Sequence, residues 1–135
     1  KKLSKIDPEW DIFYTDLDWR VLNNEYHRPK TGFKLRARPG QHLKKTSYYT
    51  KRKKISKNIQ QVRSRWGTHS YIVSRKGLTK LKNYFFHTYF WASIDWDIHF
   101  IPKIRQYSSR NDIVTNPRDR AESDTLPDYQ TPTNG

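Results

Sequence analysis

Cysteine is absent from the chain, which excludes both a disulfide framework and a thiolate metal site. Long apolar runs are missing too. None approaches the ~18–20 residues that a membrane-spanning helix needs. Lys1-Lys2-Leu3-Ser4-Lys5 leads into no apolar core of the kind a signal peptide carries. A cytoplasmic location is expected on these grounds. Apolar residues make up 33% of the 135 and mean hydropathy is −1.09, low for a domain that must close its own core. The first residue is Lys rather than Met, so a start further upstream is expected. Acidic residues are absent from positions 26–94, a stretch that holds eighteen of the 27 Lys and Arg; the flanks hold the rest and all 13 acids.

What is present is aromatic and basic. Five Trp, nine Tyr and six Phe give 15% aromatics, and each buried ring removes roughly 150–250 Å² from water. A disordered chain has little use for so many. The composition therefore predicts one folded, core-poor domain, or part of one. The net charge of +14 sits in a basic block between mildly acidic ends.

Local signals place the elements. Ile12-Phe13-Tyr14 reads as a short buried strand, and its polar C-terminal end, Thr15-Asp16, is the sort that reaches a site. Residues 20–60 read as a long irregular basic insertion, with turn signals at Arg28-Pro29-Lys30-Thr31-Gly32 and Arg38-Pro39-Gly40. Tyr71-Ile72-Val73 is a second strand, and Ser74 is suited to cap the helix that follows. Over residues 75–87, Leu78, Leu81 and Phe85 recur at helical spacing, which predicts them as the buried face. Gly77 should weaken that helix by up to about 1 kcal/mol relative to Ala. A further strand is expected over residues 98–104, and residues 126–135 read as a flexible tail.

Several chemistries are disfavoured. The chain has no P-loop, no dinucleotide fingerprint and no Ser-His-Asp order. The five histidines, at 27, 42, 69, 87 and 99, show no close metal-ligand spacing. Asp95 lies between Ile94 and Trp96, and a carboxylate among apolar residues can act as a general base; its other reading is a helix cap or a partner for one of the many cations. Asp97 is the second candidate. His69, after a Gly-Thr turn, is either a donor-site ligand or an ordinary turn histidine. Lys51-Arg52-Lys53-Lys54 beside Tyr48-Tyr49 has the basic-plus-aromatic character of a nucleic-acid surface, although such runs are usually solvated faces.

Three ordered segments resemble glycosyltransferase family 25, the lipopolysaccharide and procollagen glycosyltransferases. Trp10-Asp11-Ile12-Phe13-Tyr14 is similar to the family's "W-D-I" strand. The stretch from Gly67 through Thr68-His69-Ser70-Tyr71-Ile72-Val73-Ser74-Arg75-Lys76-Gly77 to Leu81 is similar to its "G-T-x-A-Y-I-V-S-R-x-G-A-x-K-L", with Leu78 where Ala is usual. Ser93-Ile94-Asp95 and Glu122-Ser123-Asp124-Thr125 are similar to its "P-I-D" and terminal "S-D" motifs.

The resemblance implies an α/β, GT-A-like fold with a mixed sheet, of which residues 1–125 are the C-terminal part. The family's upstream Glu-Asp-Asp motif lies outside this chain, so the isolated chain is expected to be inactive. The implied activity is transfer of a hexose from a UDP-sugar to a saccharide or glycolipid, as in lipopolysaccharide biosynthesis. Asp95 or Asp97 would be the catalytic base, and His69, Ser123 and Asp124 would contact donor or acceptor, with helix capping the other reading of Ser123-Asp124. A divalent metal, Mn2+ or Mg2+, would be held mainly by the absent half. The basic block would attract an anionic acceptor or an anionic membrane surface. Nucleic acid is the alternative partner.

Overall fold

The computed structural model describes residues 2–16, 38, 40–42, 44–65, 68–91, 94–111 and 113–114. In chain order the elements are helix α1 (Lys2–Ile6), strand β1 (Ile12–Tyr14), helix α2 (Thr46–Thr50), strands β2 (Arg52–Lys54), β3 (Ile59–Val62) and β4 (Tyr71–Val73), and helix α3 (Arg75–Thr88). A short helix α4 (Ile94–Asp97), a 3-10 turn (Ile98–Phe100) and strand β5 (Gln106–Ser109) complete it. The strands form one mixed sheet in the order β2-β3-β5-β1-β4. β1 runs parallel to β5 and antiparallel to β4, with Ile12 opposite Val73 and Tyr14 opposite Tyr71. The chain is thus α/β, and β1 and β4 are strands of one sheet as their sequences predict.

Strand alternation divides the core in two. On one face Ile12, Tyr14 and Val62 pack with Ile98, Ile101 and Ile104, and Leu81, Tyr84 and Phe85 of α3 press against them. On the other, Ile59 and Tyr107 pack with Leu3, flanked by Trp10, Phe13 and Ile55.

Helix α3 starts as predicted. The Ser74 hydroxyl accepts from the Gly77 N–H at 2.9 Å, satisfying a first-turn donor that the helix cannot. Of the three residues predicted for its buried face, Leu81 and Phe85 take that place and Leu78 does not. Leu78 is 61% exposed, while Gly77 is buried and Leu81, Tyr84 and Phe85 line the core side. Positions 77, 81, 84 and 85 share one face, so a glycine belongs to the stripe, and counting apolar residues alone shifts the stripe by one position.

The reason for that glycine is close approach. A Cβ at Gly77 would come within 3.0 Å of the Asp11 backbone O, C and Cα. Around this contact the Ser74 N–H donates to the Asp11 carbonyl at 2.8 Å and the Ser74 hydroxyl donates to the Trp10 carbonyl at 2.7 Å. Lys80 Nζ and the Arg105 N–H both reach Asp11 Oδ2 at 2.7 Å. The start of α3 is locked to the start of β1.

Two further expectations need correction. Residues 98–104 are not a strand: the 3-10 turn and the turn after it bring Ile98, Ile101 and Ile104 to the core. A spacing of three suits tight helical turns, not strand alternation, and the strand begins only at Gln106. Within residues 20–60, the part from 44 onward is ordered rather than irregular. Tyr49, Ile59 and Val62 are buried, and β2 pairs with β3 from Arg52 opposite Val62 to Lys54 opposite Gln60, leaving Lys53 and Lys54 exposed on the sheet's margin. Residues 20–37, Ser123, Asp124 and the tail at 126–135 lie outside the described residues. Among the described residues no helix is long and apolar enough to cross a membrane.

Candidate functional site

β1 ends at Tyr14, and the two residues beyond it enter a buried polar network. The Tyr14 hydroxyl donates to Gln106 Oε1 at 2.7 Å. Gln106 Nε2 has two hydrogens and two acceptors, the Arg63 carbonyl and His99 Nδ1, each at 3.3 Å. With Nδ1 accepting, His99 carries its proton on Nε2, which donates to the Arg65 carbonyl at 2.8 Å. Arg65 closes the chain: its guanidinium forks onto Asp16 Oδ1 at 2.9 Å and Oδ2 at 2.5 Å and lies 4.4 Å over the Tyr14 ring. Planar, bidentate pairing of this kind is a guanidinium property that lysine cannot reproduce.

Burial sets the protonation states. Buried surroundings lower the His99 pKa to about 4, against opposing help from the Arg65 carbonyl and the Asp95 charge, so the ring is neutral near pH 7. Burial also pushes the Tyr14 phenol well above its ordinary value; the Arg65 charge opposes this, and Tyr71, Asp16 and Asp95 add to it. Tyr14 therefore remains a neutral donor. The network contributes fixed hydrogen bonds and a paired charge at neutral pH, and it does not exchange protons there. It is a fixed structural network.

The predicted residues fall around this network. His69 is exposed on the turn before β4; the next residue, Ser70, accepts the Thr15 N–H through its carbonyl at 3.0 Å, and the two hydroxyls lie 2.5 Å apart. His69 thus stands at the end of β1 where Asp16 emerges. Asp95, on α4, is half-buried and close enough to influence both Tyr14 and His99. No hydrogen bond or ion pair between His69 and Asp95 is formed among the described residues.

Asp97, two residues on, is wholly buried. Its Oδ2 accepts from Arg38 Nη2 at 3.0 Å and from the Trp91 N–H at 2.8 Å. The same guanidinium donates to the Thr88 and Tyr89 carbonyls. Asp97 is therefore committed to holding the chain that leaves α3, whereas Asp95 is half-buried and forms no ion pair among the described residues.

A divalent metal does not fit the described residues. No group of three or more His, Asp or Glu gathers among them, Asp16 is engaged by Arg65, and Asp97 by Arg38. The residues that sequence reasoning did not single out are Tyr14, Asp16, Arg65, His99 and Gln106. Only Asp16 carried a signal, as a polar residue ending a buried strand. Arg65 is one of eighteen cations in the basic block, and only the folded chain distinguishes it.

The basic segment also has a specific geometry. Tyr48 is flanked by Lys44 Nζ at 4.0 Å from its centroid and by the Arg63 guanidinium at 5.2 Å, and Tyr49 is buried at 4% exposure. Neither ring is a free platform for a base.

Compared with protein-family models, curated proteins and solved structures, the chain finds no match.

Proposed function

We propose that this chain is the C-terminal part of a GT-A-like hexosyltransferase of the family 25 type, acting from a UDP-sugar on a saccharide or glycolipid. The observation that carries the reading is the lock between α3 and β1. Residues from two of the segments that carry the resemblance interlock: Trp10 and Asp11 from the first, and Ser74, Gly77 and Lys80 from the more specific second. A chance likeness of two separated segments has no reason to place them in mutual contact, whereas a motif that specifies a fold does.

In this reading Asp95 takes the proton from the acceptor hydroxyl as its oxygen bonds to the anomeric carbon and the bond from that carbon to the donor diphosphate breaks. Tyr14, Gln106, His99 and Arg65 hold the floor beneath it. His69 faces the donor. Asp97 positions the chain around Asp95 without touching substrate.

The test joins this chain to the upstream half that carries Glu-Asp-Asp and measures hexose transfer from UDP-galactose and UDP-glucose. The joined protein should turn over while the isolated chain does not. Robust turnover by the isolated chain, or none by the joined protein, would overturn the reading. The alternative of a nucleic-acid module draws on the exposed Lys53 and Lys54 of β2. It requires sequence- or strand-specific binding that survives physiological salt; binding that vanishes there reflects charge alone.

A further inference from the structure

The chain leaving α3 presents a cluster of aromatic side chains to solvent. Phe86 and Tyr89 are 79% and 80% exposed, Phe90 and Trp91 are more than half exposed, and Ile94 follows. Single exposed apolar residues are ordinary; five within nine positions form a patch. The patch is also held in place. Arg38 donates to the Thr88 and Tyr89 carbonyls, Asp97 accepts the Trp91 N–H and the Arg38 guanidinium, and Phe90 stacks on Phe85 with centroids 4.2 Å apart. Tyr89 adopts a φ of +38°, a conformation that a bulky side chain takes only when its surroundings impose it. A buried ion pair thus fixes a turn that projects rings outward.

The helix that leads into this turn is basic: α3 carries Arg75, Lys76, Lys80 and Lys82 and no acid, and no Asp or Glu occurs between residues 26 and 94. Lys76 and Lys80 are ion-paired with Glu9 and Asp11, which leaves Arg75 and Lys82, seven positions apart and so on one side of the helix with Phe86 and Tyr89. Beyond the turn Asp97 is paired with Arg38, and Asp95 is the one opposing charge among the described residues that follow it directly. Tyr and Trp favour the boundary between water and lipid, where an apolar ring and a polar edge are both satisfied, and cations beside them favour anionic headgroups. A protein partner of ordinary composition would complement only one of these features.

We propose that the segment from Phe86 to Trp91 is a membrane-docking element that inserts Phe86, Tyr89 and Trp91 into the headgroup region of an anionic bilayer while Arg75 and Lys82 of α3 lie against its surface. The proposal stands independently of the transferase reading, since it uses none of that site's residues for chemistry.

The test is co-sedimentation of the whole chain with vesicles of phosphatidylcholine alone and of phosphatidylcholine mixed with phosphatidylglycerol. Binding should be confined to the anionic vesicles. The triple variant Phe86→Ser, Tyr89→Ser, Trp91→Ser should bind them at least about tenfold more weakly while melting like the parent, because none of the three belongs to the core. Arg75→Glu with Lys82→Glu should also weaken binding, and should remove much of its salt dependence. Undiminished binding by the triple variant overturns the proposal, as does equal binding to neutral vesicles. It is equally overturned if the parent self-associates in light scattering, the triple variant is monomeric, and neither sediments with vesicles: the patch is then an interface between copies.

Discussion

Replacing Gly77 by Ala is the sharpest probe of the lock between α3 and β1. On an open helix surface the change is favourable by about 1 kcal/mol, because Ala is the better helix former. Here the added methyl meets the Asp11 backbone within 3.0 Å, and that backbone cannot easily yield. The Asp11 carbonyl accepts the Ser74 N–H, the Asp11 N–H donates to the Arg105 carbonyl, and the Asp11 side chain is fully buried beneath Lys80. Forcing a methylene-sized group into such a contact costs about 1–3 kcal/mol, and relieving it by tilting α3 lengthens the Ser74 and Lys80 bonds as well. With a clash this close the steric term lies towards the upper end of that range and outweighs the propensity gain, for a net loss of up to about 2 kcal/mol. For a domain of this size that is a fall in melting temperature of roughly 5–10 °C. Urea denaturation of parent and variant reads it directly as a lower midpoint at unchanged slope. An Ala variant as stable as the parent, or more so, would refute the close approach and with it the account of why glycine occupies this position.

Other perturbations follow from the same contacts. Lys80→Met removes the only side-chain cation paired with the buried Asp11 carboxylate among the described residues and should cost about 1–2 kcal/mol, less than a fully buried pair because Lys80 is one-third exposed. Arg65→Met strands Asp16 in the interior and should cost about 3–5 kcal/mol, with Arg65→Lys recovering only part of it because the fork is lost; urea midpoints rank the three proteins. His99 adds a pH dependence. Its folded pKa of about 4 lies below the ordinary 6.5, so on acidification the unfolded chain takes up the proton first. Its contribution is whole above about pH 6.5 and is lost progressively towards pH 4. Chemical denaturation across that range should show a slope near one proton in the parent that is absent in His99→Gln.

The parts of the fold legible in the sequence were those carried by local chemistry. Ile12-Phe13-Tyr14 and Tyr71-Ile72-Val73 announce strands, and Ser74 announces a cap, because propensity and hydrogen-bonding capacity act within a few residues. Where tertiary contact decides, the sequence misleads. Gly77 reads as a weak point of the helix and is its point of closest packing. Ile98, Ile101 and Ile104 suggest an apolar strand, yet their spacing of three belongs to turns. The basic run at 51–54 suggests an irregular loop, but residues 52–54 pair with β3; Lys53 and Lys54 are exposed, while Arg52 donates to the Tyr49 and Ser64 carbonyls. The site follows the same division. The sequence ranks Asp95 before Asp97 by motif alone; burial and the Arg38 pairing are what mark Asp97 as a structural carboxylate and leave Asp95 half-buried.

That separation is also the most direct test of the proposed chemistry. In the protein joined to the upstream half that the proposed function implies, Asp95→Asn and Asp97→Asn are compared for hexose transfer, UDP-sugar affinity and melting temperature. Asparagine keeps the shape of the side chain and removes its basicity. The account predicts that Asp95→Asn lowers turnover by about 10²–10⁴-fold with donor affinity and melting temperature unchanged. Asp97→Asn should instead lower the melting temperature, because Arg38 loses its carboxylate. Turnover by Asp95→Asn within a few-fold of the parent would contradict the account.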